Sequence, residues 1–218
     1  MLFCNTATNV QKYDENGDYV LDERGKTIVE YRASYWGRVT IRNNVFADND
    51  GPVIAAHGYI SDWSFENNTV ILPAERESTK TYEITDTEDM NDTKIVGDNW
   101  KFVNNVFYNR GDYSTTFEVN MTKHVSFDSN AFWGFDDNFH DELENPITTR
   151  ITSSGTVKLD PVYADVVAKM GYENISAFIP TNNALFTGAL ELAKMSAYDM
   201  AQKTAKKGVY YYGAFSSK

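Results

Sequence analysis

A single cysteine, Cys4, in 218 residues excludes an internal disulfide, and nothing in the sequence sets a histidine beside that thiol as a nucleophilic pair. No run of eighteen apolar residues occurs, so no helical membrane span is expected. The opening Met1-Leu2-Phe3-Cys4 is too short and uncharged for a secretory signal. Basic residues are scarce: 20 Lys plus Arg stand against 31 Asp plus Glu, for a formal charge of −11 and a pI near 4.7. Nucleic acid is therefore not an expected partner, because phosphate binding requires clustered Lys and Arg. The same charge opposes unaided binding of a polyanionic sugar, although a bound metal would reverse that locally.

What the chain does contain is aromatic and repetitive. Aromatics make up 14% of residues, with 14 Tyr and 13 Phe, a composition of packed β structure rather than disorder. With Asn105 as anchor, Trp100 and Phe102 precede it in alternation and Phe107 follows it. The same register recurs as Val39, Ile41, Asn44 and Phe46; as Trp63, Phe65, Asn68 and Val70; and as Val125, Phe127, Asn130 and Phe132. The anchors lie 24, 37 and 25 residues apart. Alternation before the Asn is strand periodicity, and no helical apolar stripe crosses Asn44, Asn68 or Asn105. The shorter spacing fits one coil of a parallel β-helix, with Asn stacking on Asn between coils and tolerating a left-handed backbone. Residues 27–31, 52–56, 80–85 and 115–119 supply the other strands.

These repeats resemble the coils of pectate-lyase-like right-handed β-helix proteins, which include pectate, alginate and chondroitin-type lyases. Leu159-Asp160-Pro161-Val162-Tyr163, then Gly188-Ala189, then Tyr212-Gly213-Ala214-Phe215 are similar to the ending common in that group. The resemblance spans roughly residues 36–218. It implies an all-β right-handed parallel β-helix of about four to five coils with a C-terminal helical or loop cap. Residues 1–158 form the coils, with a hairpin inserted at 11–27 and a loop at 72–99, and 159–218 form the capping segment of the same domain. Leu2-x-x-Asn5-x-Ala7 matches part of the motif. The chain is thus expected to begin inside a coil, either behind earlier coils of a longer secreted or cell-surface protein or against another chain that covers the open end.

The resemblance also implies β-elimination on a uronic-acid polymer, in which a cation or Ca²⁺ neutralises the carboxylate and a Lys, Arg or His removes the C5 proton. Candidates are His57, Lys80, Lys94, Arg110 and His124, all between the first and fourth copies of the motif. No family catalytic signature is matched residue by residue. His57 stands where a strand ends at Gly58, which suits proton transfer and equally suits a packed turn. Tyr108 and Tyr113 flank Arg110, and tyrosine faces with a guanidinium suit a uronate. Trp133, with Phe135 and Phe139, forms either a sugar-stacking platform or the core at the end of the last coil. Asp86, Glu88, Asp89 and Asp92 supply oxygen ligands for Ca²⁺ but lack the glycine and terminal glutamate of an EF-hand, so a solvated loop is the competing reading. Asp48 and Asp50 pose the same choice within a tight turn.

Beyond residue 159 the pattern changes. Residues 160–171 read as a helix with Pro161 in its first turn, and residues 196–206 as a second, with Lys203, Lys206 and Lys207 complementing its C-terminal dipole. Both are expected to lie across the final coil, and residues 210–215 to form a last strand. Two functions of different class remain open: a polysaccharide lyase, or a non-catalytic carbohydrate-binding or structural module of a larger protein.

Overall fold

The computed structural model describes residues 2–4, 8–32, 36–57, 60–77, 80–85, 87–88, 94–95, 99–111, 116–119, 124–135, 151–163, 174–194 and 196–218. Strand β1 (Leu2–Cys4) is followed by an antiparallel pair, β2 (Thr8–Gln11) and β3 (Val29–Arg32), then by β4 (Trp36–Arg42) and β5 (Val45–Ala47). A second pass consists of β6 (Ile54–His57), β7 (Ile60–Glu66) and β8 (Thr69–Leu72). The third pass begins with β9 (Lys80–Thr85), inserts the antiparallel pair β10 (Thr87–Glu88) and β11 (Lys94–Ile95), and continues with β12 (Trp100–Val103) and β13 (Val106–Asn109). The fourth contains β14 (Thr116–Val119), β15 (Val125–Asp128) and β16 (Ala131–Trp133), and β17 (Ile151–Ser154) and β18 (Val157–Lys158) belong to a fifth.

Each of these passes lays its strands parallel to their counterparts one pass away. The first sheet has the order β1-β6-β9-β14, the second β4-β7-β12-β15-β17 and the third β5-β8-β13-β16-β18. The chain is thus all-β, built on parallel strands, and none of these sheets closes on itself. The register is that of the sequence repeat. Val39, Trp63, Trp100 and Val125 occupy one column, and Ile41, Phe65, Phe102 and Phe127 the next. Strand spacing of about 4.8 Å stacks like rings on like: Trp63 on Trp100 at 4.8 Å, Phe102 on Phe127 at 4.6 Å and Phe107 on Phe132 at 4.8 Å. These side chains form one central core with Val70, Leu72 and Ile54.

Between the second and third sheets each pass turns on a single left-handed residue: Asn43, Asn67, Asn104, Ser129 and Gly155, with φ of 55°, 49°, 57°, 52° and 59°. The anchor that follows does a different job. Asn68 Nδ2 donates to the Ile41 carbonyl at 2.9 Å, Asn105 Nδ2 to Phe65 at 2.8 Å and Asn130 Nδ2 to Phe102 at 2.8 Å. The backbone freedom and the ladder, expected of one Asn, are divided between two neighbours.

Several expectations are corrected. Leu2 to Cys4 pair with Ala55 to His57 in the first sheet, so Leu2 does not occupy the motif position assigned to it. Residues 27–31 do not join the parallel stack, because β3 pairs antiparallel with β2. The inserted hairpin, by contrast, holds the two tight turns that its Asn16-Gly17 and Arg24-Gly25 pairs suggest. Asp14 Oδ1 accepts the N–H of Asn16 and Asp18, and Asp22 Oδ1 repeats this with Arg24 and Lys26. Gly17 and Gly25 supply the positive φ that each turn requires.

The C-terminal segment departs furthest from expectation. Residues 196–206 are not helical but close a loop through an antiparallel bridge of Tyr198 and Thr204. Asp199 is the cause: Oδ1 takes the Lys203 N–H, and Oδ2 takes the N–H and hydroxyl of Ser216. Residues 210–215 are irregular rather than a strand. Of the helix expected at 160–171, residues 164–171 lie outside the described residues. The segment lies along the outer face of the third sheet, across every pass. The Asn43, Asn67 and Asn104 carboxamides donate to the carbonyls of Tyr198, Tyr211 and Leu190. Gly213 fits because a Cβ there would meet Thr69 Oγ1 at 2.7 Å.

Candidate functional site

The pass order creates two corners beside the first sheet. One is where its strands exit toward the second sheet, and the other is where the third sheet feeds back into it. The nominated catalytic residues divide between them. His57 ends β6 at the first corner, its backbone in register with Cys4 and Thr85. His124 is exposed just before β15 at the same corner, its carbonyl accepting the Trp100 N–H at 3.0 Å. Exposed Arg38, Asp62 and Asn99 continue this edge, with Asn99 Nδ2 donating to Asp62 Oδ1 at 2.7 Å. Both antiparallel insertions, β2–β3 and β10–β11, arise here as well.

Lys80 begins β9 and Arg110 follows β13, so both belong to the second corner. Six residues of β9, about 20 Å of extended chain, separate the corners. Arg110 is moreover buried: its Nη2 pairs with Asp48 Oδ1, and its Nε donates to the Leu72 carbonyl at 3.0 Å. One guanidinium thereby ties together the exits of β5, β8 and β13. Asp48 is engaged by that pair, and Asp50 accepts the Glu77 N–H at 2.8 Å.

Tyr108 and Trp133 are register partners in the third sheet and half-buried. The Tyr108 ring lies 5.3 Å from that of Tyr163 in the C-terminal segment, and burial, helped by the charge of Asp160, pushes its hydroxyl pKa up. Phe135 meets Phe132 edge-on at 5.6 Å, as a core residue does. Tyr113, Phe139, Asp86, Asp89 and Asp92 lie outside the described residues. Glu88 is described by its backbone, which pairs with Lys94 in the β10–β11 hairpin. No group of three or more His, Cys, Asp or Glu able to hold a metal occurs among the described residues. No helix among them is long and apolar enough to cross a membrane.

The structure adds a surface that sequence reasoning missed. Residues 190–218 hold five lysines, Lys194, Lys203, Lys206, Lys207 and Lys218, against only Glu191 and Asp199. Asp199 is buried and committed to Lys203 and Ser216, and Glu191 hydrogen-bonds the Tyr210 hydroxyl, which raises that tyrosine's pKa. Two clefts open between these loops and share Lys206. One adds Lys207, Ser196 and Tyr210, and the other Lys218, Thr204 and Ser216. Neither Lys206 nor Lys207 has a carboxylate partner among the described residues. The signal was present in the lysine spacing, but assigning a helix there attributed those charges to its dipole. Ammonium groups and hydroxyl-bearing side chains in the lining of both clefts suit an anionic ligand.

The chain matches no protein-family model, no curated protein and no solved structure.

Proposed function

We propose that this chain is a right-handed parallel β-helix module of about four to five coils, related to the pectate-lyase-like group, that binds an acidic polysaccharide without cleaving it. The lysine-lined clefts of residues 190–218 carry this reading, since they form a basic surface on a chain of net charge −11. The C-terminal segment then serves both as the outer layer of the third sheet and as the ligand-bearing surface. A lyase needs a proton acceptor and a carboxylate-neutralising cation on one groove. Arg110 is engaged by Asp48 at the other corner from the two histidines, so a lyase would have to draw its cation from Lys94 in β11.

The lyase alternative keeps the corner shared by His57, His124 and the β10–β11 pair that carries Lys94. Ca²⁺ would enter that alternative through the oxygen ligands of Asp86, Glu88, Asp89 and Asp92. The protein would be secreted or displayed at the cell surface, where such polymers occur.

Affinity electrophoresis on pectate, alginate and glycosaminoglycans, with and without Ca²⁺, tests the reading alongside ultraviolet absorbance of the unsaturated uronate that elimination creates. Retardation without an absorbance rise is expected, with binding weakened by salt and at least tenfold by Lys206→Glu combined with Lys207→Glu. An absorbance rise abolished by His57→Ala would replace binding by lysis. Unchanged retardation of the lysine variant would remove the clefts from the account.

A further inference from the structure

The Asn ladder has a direction that leaves one end open. Each anchor's Oδ1 accepts both the backbone N–H and the carboxamide of the anchor one pass earlier. Asn130 receives Asn105 at 3.0 and 2.9 Å, Asn105 receives Asn68 at 2.9 and 3.3 Å, and Asn68 receives Asn44 at 2.9 and 3.1 Å. Asn44 Nδ2 is occupied, since it also donates to the Arg42 carbonyl at 2.9 Å. Asn44 Oδ1 accepts from no described residue.

The strands on either side are open in the same direction. β4 and β5 are the outermost members of their sheets, so their far edges pair with no described strand. Beside β5 the C-terminal segment overhangs the edge. Val45, Phe46 and Ala47 form one wall of an apolar cleft, and Ile175, Phe178 and Met200 the other. Ile175 and Met200 are each 37% exposed. The slot therefore has apolar walls on two sides and a hydrogen-bonding edge as its floor. Thr69-Val70-Ile71-Leu72 occupies the equivalent space one pass further in, buried at every residue.

We propose that this end is a strand-acceptor site for an extended segment of another polypeptide that carries the chain's own pattern, apolar-x-apolar-x-x-Asn-x-apolar. The segment lies parallel along β4 and β5. Its Asn donates the backbone N–H and carboxamide to Asn44 Oδ1, and the residues after that Asn fill the slot between Phe46 and the Ile175–Met200 wall. Parallel strand addition supplies main-chain hydrogen bonds for affinity, and the ladder position supplies specificity for Asn. This assignment is independent of the polysaccharide reading.

A fluorescently labelled peptide copying residues 63–72, with solubilising lysines at its ends, tests the site by anisotropy. Saturable binding is expected, weakened about tenfold when the residue copying Asn68 is alanine, the scale of losing one amide's bonds in a buried ladder. Because that change is in the peptide, the protein's own folding is untouched. Met200→Lys, an exposed change, should weaken binding of the unaltered peptide while leaving the thermal midpoint in place. Absence of binding, or equal binding of the Asn and Ala peptides, overturns the proposal. Concentration-dependent self-association in sedimentation that the peptide displaces also overturns it, because the occupant would then be a second copy.

Discussion

The second and third sheets are built from the same repeat, yet they differ in what covers their outer faces. Along β12, buried Trp100 and Phe102 flank exposed Lys101, and along β15 burial again alternates. All four residues of β8 are buried, because Val70 and Leu72 face the central core while Ile71 meets Phe178, Ala214 and Phe215 of the C-terminal segment. The outward residues differ accordingly. Thr40, Ser64, Lys101 and Ser126 form one column of the second sheet, and Ala47, Ile71, Tyr108 and Trp133 one column of the third. A polar outward column marks a face left to solvent. An apolar one requires a covering layer, since residues so exposed would forfeit about 1.5–3 kcal/mol each.

The largest expected effect lies in two ion pairs that sharpen this contrast. Arg42 and Glu66 pair on the second sheet with side chains 23% and 13% exposed; Arg110 and Asp48 pair at the exit of the third with 6% and 9%. Arg110→Ala should cost about 3–5 kcal/mol, because it strands a buried carboxylate. Arg42→Ala should cost less, because its pair keeps more contact with water. Chemical denaturation of both variants measures the difference. The double change Asp48→Leu with Arg110→Leu should recover much of the loss, and equal costs for the two single variants would show that the covered side is not a drier environment.

Next in size is Ile71→Ala. The side chain is fully buried between β8 and the C-terminal segment, and its loss should cost about 2–5 kcal/mol through transfer and cavity effects. Limited proteolysis should then release residues 159–218 earlier than in the parent protein, which distinguishes a detached covering layer from a weakened core.

How much of this the sequence revealed follows from the same contrast. The central core was legible because its columns repeat the same residue types at fixed register, as Trp63 over Trp100 and Phe102 over Phe127 illustrate. The fifth pass was not. Ser153, Thr156 and Lys158 stand where the motif calls for an apolar residue, Asn and another apolar residue, although Ser154 stacks under Asp128 with an offset of 26 residues. The covering layer was recognised as a terminal element but placed across the end of the stack. Its attachment runs through Asn43, Asn67 and Asn104, whose partners lie 155, 144 and 86 residues away, and no local pattern encodes such distances. The lysine clefts were hidden by a helical composition that Asp199 overrides through its bonds to Lys203 and Ser216. Of the nominated site, the sequence identified residue types suited to the chemistry. Whether they converge depends on the corner to which each strand end belongs.

Covering the third sheet also makes it sensitive to alkali. Burial, helped by the charge of Asp199, pushes the Tyr211 hydroxyl up to about 12, and burial also raises Tyr163. A tyrosine that keeps its proton in the folded state contributes its full stability below the unfolded pKa of about 10 and loses it as pH rises through the folded value. The thermal midpoint should therefore decline between about pH 10 and 12. Tyr211→Phe should flatten that decline while lowering stability little at neutral pH. An unchanged slope would mean that Tyr211 does not report on the covered face.

The smallest effect completes the comparison. Lys101 occupies the outward position of β12 in register with Ser64 and Ser126, and it is exposed. Lys101→Ala should change stability by no more than about 0.5 kcal/mol, because no buried contact is removed and an exposed lysine gives up little on truncation. Its value lies in the ratio to Ile71→Ala, since the two residues hold outward positions on neighbouring sheets of the same pass order. A several-fold difference assigns the cost to the covering segment, because strand propensity alone separates the two changes by well under that amount. Comparable costs would instead require a layer over the second sheet, contributed by residues outside those described, and the polar column of Thr40, Ser64 and Ser126 would then face protein rather than water.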